Sequence, residues 1–230
     1  MKIVILAAGK GTRMGSMSES IPKVLMPIKG KPFLYYLIQN IKKVGFKDIG
    51  VVVNYKKEKI KEFLEEYNLK ATLIEQKQPL GTGDAVKSAK DFVKNENFIV
   101  CMGDDLYSTE NLRLAVKNDN SNYIFGYKHP NPERFGMLME KNGFLTEIKE
   151  KPKEFVSDLV NIGLYKFTPE IFHTLEKIKK SERGEYELTD ALTLLAKKNK
   201  VKVIKVNNGW YYLNQPEDII VMEQSLKNVS

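Results

Sequence analysis

Cysteine and histidine are nearly missing from this sequence: Cys101 stands alone, and the histidines are His129 and His173. A single cysteine excludes an internal disulfide and fits a reducing compartment, and its place in the apolar run Phe98–Met102 makes it a buried small hydrophobe. Thiolate or poly-histidine metal sites and a Cys-His dyad are likewise excluded. Chemistry must therefore run on carboxylates, lysine, arginine and a hard metal. No stretch approaches the ~20 apolar residues of a membrane span, and the apolar N-terminal run is too short for a signal-peptide core. The expected location is cytoplasmic, with no membrane partner. Arginine is scarce too, limited to Arg13, Arg113, Arg134 and Arg183 in a chain of net charge +8. The lysines that carry this charge are spread among acids, as in Lys56-Lys57-Glu58-Lys59. That describes a solvated surface rather than the concentrated patch a nucleic acid requires, and no nucleic-acid partner is expected.

At 230 residues, 42% hydrophobic and 29% charged, the chain has the length and composition of a soluble globular protein with a sizeable core. An apolar run, Ile3 to Leu6, ends abruptly in Ala-Ala-Gly and reads as a buried strand leaving into a loop. In that loop Gly9 and Gly11 let the backbone turn successive N–H groups toward one point, a nest suited to phosphate. Gly11, Thr12 and Arg13 continue it, and Lys23 follows downstream. Arg13 supplies a planar fork and Lys23 a mobile point charge, so a polyphosphate ligand is expected. The Walker pattern fails, because Gly11 follows Lys10 where Ser or Thr is needed. The dinucleotide pattern fails as well, since Met14 stands where glycine is wanted and Asn54 where an acid should close the next strand.

Farther along, helical and extended segments alternate. Helices are expected over Pro32–Val44, Lys57–Tyr67, Thr82–Val93 and Leu112–Val116, with strands at Ile49–Val53, Ala71–Glu75 and Phe98–Met102. Beyond Asn122 strands with turns take over: Tyr123–Tyr127, Phe135–Glu140, Phe144–Glu150 and Asp158–Phe167. Helices Pro169–Ile178 and Leu188–Lys198, strand Val201–Val206 and a helix from about Pro216 finish the chain. This pattern predicts a single-domain α/β protein: a Rossmann-like, mixed and mostly parallel sheet with helices on both faces. Residues 1–121 would form a nucleotide half and residues 122–230 a substrate half, which the family resemblance given below makes a sugar-phosphate-binding half.

Two further stretches sit at expected strand ends. Gln76-Lys77-Gln78-Pro79-Leu80-Gly81-Thr82-Gly83 follows a strand and opens a helix. Gly81, Thr82 and Gly83 would receive an anion or a base edge on free N–H groups, with Gln76 discriminating through its amide; a helix cap with a flexible entry is the plain alternative. Met102-Gly103-Asp104-Asp105 places carboxylates at a strand's carboxyl end, where Mg²⁺ would take one or two of them plus phosphate oxygens. Asp104, nearer the strand, is the expected ligand, and a turn-forming Asp pair is the alternative.

With LAAGKGTRM, PKVLMPI, QPLGTGDAV, MGDD, FGML, EKP at Glu150–Pro152, NIGLY at Asn161–Tyr165 and GEYELTDAL at Gly184–Leu192 in this order, the sequence resembles the sugar-1-phosphate nucleotidylyltransferases over almost its whole length. The resemblance implies an enzyme that joins a nucleoside triphosphate, UTP or dTTP, to a sugar 1-phosphate of the glucose or N-acetylglucosamine type, with Mg²⁺ as cofactor. It implies that Leu6, Ala8 and Gly9 face the nucleotide, that Arg13 and Lys23 act on its phosphates, and that Gln76, Gly81 and Thr82 read its base. It implies that Gly136, Glu150, Lys151 and Asn161 hold the sugar phosphate and that Asp104 binds Mg²⁺. One departure is visible: many relatives carry a metal-binding Asp two residues after a tryptophan, and here Tyr212 stands there. A related branch uses an Asn two residues later, which corresponds to Asn214. Asn214 could instead cap the helix from about Pro216. Two rival readings remain, a cytidylyltransferase acting on a phosphate such as phosphocholine and a non-catalytic nucleotide-sugar-binding regulator.

Overall fold

A computed structural model describes residues 1–117, 119–152 and 154–225. Strand β1 (Lys2–Leu6) is followed by a 3₁₀ turn (Thr12–Met14), the short helix α1 (Met17–Ser20), a second 3₁₀ turn (Lys23–Leu25), the small hairpin β2 (Pro27–Ile28) and β3 (Lys31–Pro32), and helix α2 (Phe33–Lys43). Then come β4 (Ile49–Val53), α3 (Lys57–Glu66), β5 (Thr72–Glu75), α4 (Thr82–Ser88), α5 (Lys90–Val93) and β6 (Phe98–Met102). The remainder comprises β7 (Asp105–Tyr107), α6 (Thr109–Ala115), β8 (Asn122–Lys128), β9 (Gly136–Lys141), β10 (Phe144–Glu150), β11 (Leu159–Phe167), α7 (Glu170–Leu175), α8 (Leu188–Ala196), β12 (Val201–Val206), β13 (Trp210–Tyr212) and α9 (Asp218–Ser225).

Nine strands form one sheet in the order β5-β4-β1-β6-β11-β8-β12-β10-β9. The first four are mutually parallel, and β8 and β12 are also parallel neighbours. Strands β11 and β10 pair antiparallel to their neighbours. The expected mixed, mostly parallel α/β sheet is therefore what forms. Alternation along β1 shows why both faces are covered. Ile3 and Ile5 pack into one core with Leu37 and Ile38 of α2, Phe63 of α3 and Leu112 of α6. Val4 and Leu6 pack into the other with Val86 of α4, Phe172 of α7 and Leu192 of α8. Among the described residues no helix is long and apolar enough to cross a membrane.

Three features differ from the sequence expectation. The helix expected over Thr82–Val93 is broken at Ala89, whose N–H turns to the Val86 carbonyl three residues back (3.0 Å). Strand β9 also meets β11 at Met137–Val160, so the second half of the sheet curls onto itself. Gly126 permits this closure, since a Cβ there would stand 2.9 Å from Leu138 and Leu159. Finally, β7 and β13 form a separate antiparallel ribbon that sets Tyr212 opposite Asp105. Neither three-residue strand had a periodicity long enough to read.

Candidate active site

Parallel registers bring Leu6, Val52 and Met102 level and place Val53 beside Glu75, so the loops after β1, β5 and β6 leave the sheet at one edge. Between them lies a cleft of about 430 Å³ lined by Leu6, Ala8, Gly9, Gly11, Thr12, Gln76, Gly81 and Thr82 with Lys10, Pro79, Ala85, Met102 and Glu185. All eight of the expected nucleotide contacts other than Arg13 and Lys23 are therefore brought together. Among the described residues the N–H groups from Ala8 to Gly11 take no protein acceptor. Gly11 adopts φ 65°, and a Cβ on it would lie 2.7 Å from the Cβ of Lys23. Nothing lies within 4 Å of a Cβ built on Gly9. Buried Met14 then anchors the 3₁₀ turn, which carries exposed Arg13 past this cleft to the rim of a neighbouring one.

On the other wall Gln76 is almost fully buried, and its Nε2 donates to Gly81 O (3.1 Å) and to Asp84 Oδ2 (2.8 Å). A carboxylate only accepts, which fixes the orientation of the amide. Gln76 Oε1 takes no donor among the described residues, which leaves it as an acceptor on a residue that lines the cleft. Gly81 has φ 99°, and a Cβ there would lie 2.8 Å from Glu185 Cβ and Tyr186 O. These glycines serve a close approach: Gly83 N–H donates to Tyr186 O (2.7 Å), Tyr186 N–H to Leu80 O (2.7 Å), and Leu188 N–H to Thr82 Oγ1 (3.0 Å). Gly83 is thus corrected from an anion donor to a structural one, because its N–H is already committed.

A second cleft of about 290 Å³ adjoins the first and shares Thr82, Met102 and Glu185 with it. Arg13, Asp104, Gly136, Glu150, Lys151, Asn161 and Asn214 all line it. In register with Glu150, Gly136 leaves the space that its carboxylate fills, since a Cβ would stand 2.9 Å from Glu150 Oε2. Lys151, at φ 43°, is exposed at the rim of the cleft, and desolvation together with the Arg13 guanidinium pulls its ammonium below the ordinary lysine value. Asn161 is held at both ends, donating from Nδ2 to Tyr165 Oη (2.7 Å) and accepting Gly163 N–H on Oδ1 (3.0 Å). One amide hydrogen and one lone pair are left for a ligand.

Lys23 does not stand free in either cleft: its ammonium is ion-paired with Asp104 Oδ2. Leu213 N–H donates to Asp104 O (2.9 Å), which brings Asn214 to the same cleft. Helix α9 is tied down by Asp218, whose Oδ2 accepts Asn214 N–H (2.7 Å) and Gln215 N–H (2.9 Å). Asp218 thus ties back the segment that leads into α9, and among the described residues the Asn214 side chain accepts no helix N–H, so the alternative capping role finds no hydrogen bond. Tyr212 packs between Phe135 (ring centroids 5.1 Å) and Trp210 (5.0 Å), and burial raises its phenol above the ordinary value, which makes it a still poorer metal ligand.

Sequence alone assigns Arg134, Arg183 and Trp210 no site role and places Asp105 behind Asp104 as a ligand. Asp105 is half-buried beside Tyr107 Oη (3.2 Å), and desolvation plus the neighbouring Asp104 push its carboxyl well up. Arg134 and Arg183 both line the second cleft, and Arg183 donates to Glu187 Oε1 (2.8 Å). The scarcity of arginine was the available signal, for three of its four positions meet here. Trp210 lines the cleft, and among the described residues its buried indole N–H meets no hydrogen-bond acceptor.

Comparison with known proteins adds an independent line. Residues 2–228 match the family model for nucleotidyl transferases. The chain is 40% identical over 221 residues to the "Bifunctional protein GlmU" of Methanocaldococcus jannaschii, covering 96% of this chain and 53% of that protein. It is 38% identical over 241 residues to the "Bifunctional sugar-1-phosphate nucleotidylyltransferase/acetyltransferase" of Sulfurisphaera tokodaii, covering all of this chain and 59% of that protein. The chain thus spans little more than half the length of the curated relatives it matches. A UDP-glucose pyrophosphorylase crystallised with UDP-glucose shares the fold at a TM-score of 0.86 and 23% identity, covering 100% of this chain and 99% of that one.

Proposed function

The chain belongs to the nucleotidyl transferase family, and from that premise we propose that it is a sugar-1-phosphate nucleotidylyltransferase. It would take UTP or dTTP and a hexose or N-acetylhexosamine 1-phosphate to a nucleotide sugar and pyrophosphate. The observation that carries this reading is the pair of adjoining clefts, one rich in free backbone N–H groups and the other in side-chain cations, meeting at Thr82 and Met102. The names of the relatives in Methanocaldococcus and Sulfurisphaera support it.

A phosphate oxygen of the sugar attacks the α-phosphorus, the bond to the β-phosphate oxygen breaks, and pyrophosphate leaves. The nucleophile is already ionised, so no proton moves and no covalent intermediate is needed. The protein's work is positioning two anions in line and neutralising the charge that builds up. The Gly9–Gly11 amides receive the triphosphate, Arg13 spans the junction between the clefts, and Lys151 and Arg183 orient the incoming phosphate. Acceptor Gln76 Oε1 suits the N3–H of uracil or thymine, whereas cytosine offers a bare N3 at that edge; this disfavours the cytidylyltransferase reading.

Mg²⁺ is part of the proposal. Asp104 already carries the Lys23 ammonium, so a cation fits that carboxylate, and Asn214 brings a hard neutral oxygen to the same cleft. No group of three or more His, Cys, Asp or Glu is arranged for a metal among the described residues. That suits an ion held by one or two carboxylates and substrate phosphates. When bound, it would neutralise the phosphate charge. Pyrophosphate release with a panel of triphosphates and sugar or choline phosphates tests the proposal. Release is expected only with a uridine or thymidine triphosphate plus a sugar 1-phosphate. Release with CTP and phosphocholine, or with no pair at all, would overturn it.

A further inference from the structure

We propose that Lys23 is a latch on Asp104: its ammonium occupies the cation-binding carboxylate until a triphosphate on the glycine loop draws it away, so that a divalent cation enters only together with the triphosphate. This rests on the nucleotidylyltransferase reading and adds an order of binding to it. The ion pair joins the 3₁₀ turn after Pro22 to the turn after β6, and its two side chains are only 12% and 23% exposed. A cation arriving alone must compete with an ammonium already in contact, in a site where water screens the pair poorly.

The path of the Lys23 side chain supplies the other half. A Cβ on Gly11 would lie 2.7 Å from Lys23 Cβ, 3.4 Å from Cγ and 3.3 Å from Cδ, so the stem is laid along the phosphate-receiving loop. The base of the stem is fixed, with Leu25 N–H on Pro22 O (2.8 Å), Met26 N–H on Lys23 O (3.1 Å), and Val24 and Met26 buried. Only the end of the chain need swing for the ammonium to pass from Asp104 to an anion on the loop. A triphosphate offers the ammonium a richer anion, and its departure frees Asp104 for the metal. The two ligands thereby favour each other, and linkage makes that coupling reciprocal.

Mn²⁺ binding to the nucleotide-free protein, followed through the paramagnetic resonance of free Mn²⁺, tests the latch without any turnover. Lys23→Met is expected to bind Mn²⁺ about ten-fold more tightly than the wild type. Lys23→Gln, which lacks the charge but can still hydrogen-bond Asp104, is expected to shift the same way and serves if the Met variant does not fold. Asp104→Asn is expected to abolish binding in both backgrounds. Unchanged or weaker Mn²⁺ binding in the lysine variants, with Asp104→Asn still abolishing it, would overturn the latch while leaving the metal assignment intact. Mn²⁺ binding that survives Asp104→Asn would instead remove Asp104 as the metal ligand, and the latch with it.

Discussion

Where the first cleft presents mostly backbone, with Gly9, Gly11 and Gly81 clearing the way to N–H groups and one buried amide, the adjoining cleft presents charge. There Arg13, Arg134, Lys151 and Arg183 face Asp104, Asp105, Glu150 and Glu187. The first is built at one edge of the parallel strands by the loops after β1, β5 and β6, with Glu185 added from the segment before α8. The second draws on β9, β10, β11 and the β7–β13 ribbon, which lie far apart in the chain. Backbone sites tolerate little change of shape, because a Cβ at Gly11 or Gly81 would collide. The charged cleft has tight glycines too, Gly136 against Glu150 and Gly163 against Met102, and adds a dependence on donor geometry.

Arg13 stands at the boundary and should show the largest effect. Arg13→Lys keeps the charge and loses the fork, and the expected loss is ~2–4 kcal/mol of transition-state stabilisation in steady-state kinetics. Near-wild-type turnover would remove Arg13 from the phosphates. A control lies outside both clefts, where fully buried Lys166 meets the Asp119 carboxylate (2.6 Å) under the ring of Tyr123. Bonds from Lys166 and Tyr123 overcome the burial of Asp119 and hold its carboxyl at about 2, below the ordinary carboxylate value. Its contribution to stability is present above pH ~4 and lost as pH falls toward 2. Asp119→Asn should cost ~1–2 kcal/mol at neutral pH, discounted for the exposed carboxylate, and flatten that acid loss in urea titrations at pH 7 and 3. Its turnover per folded molecule should stay unchanged, in contrast with Arg13. The smallest effects concern the metal. Asn214→Ala should raise the Mg²⁺ midpoint for activity, whereas Tyr212→Phe should leave it alone; an unchanged midpoint for Asn214→Ala would take that side chain out of the metal site.

How much of this was legible follows the same division. The glycine loop, Gln76 and Asp104 could be read because each stands next to an apolar run that announces a strand, so their common edge follows from alternation. The β7–β13 ribbon could not, since two three-residue strands about a hundred positions apart carry no periodic signal. Nor could the closeness of Glu185 and Tyr186 to Gly81, which turns an expected anion donor, Gly83, into a structural one. The internal bonds of Asn161 and the hold of Lys23 on Asp104 are equally long-range. Lysine and aspartate 81 residues apart give no sign of pairing until the turns that carry them are in place.

The central claim is that the two clefts divide the substrates between them, and Lys151 tests it most directly. Calorimetric titration of UTP or dTTP into Lys151→Ala, set beside its turnover, separates the two sites. The account predicts triphosphate affinity within about two-fold of the wild type, together with a raised KM for the sugar phosphate and lower turnover. A collapse of triphosphate affinity in this variant would contradict it.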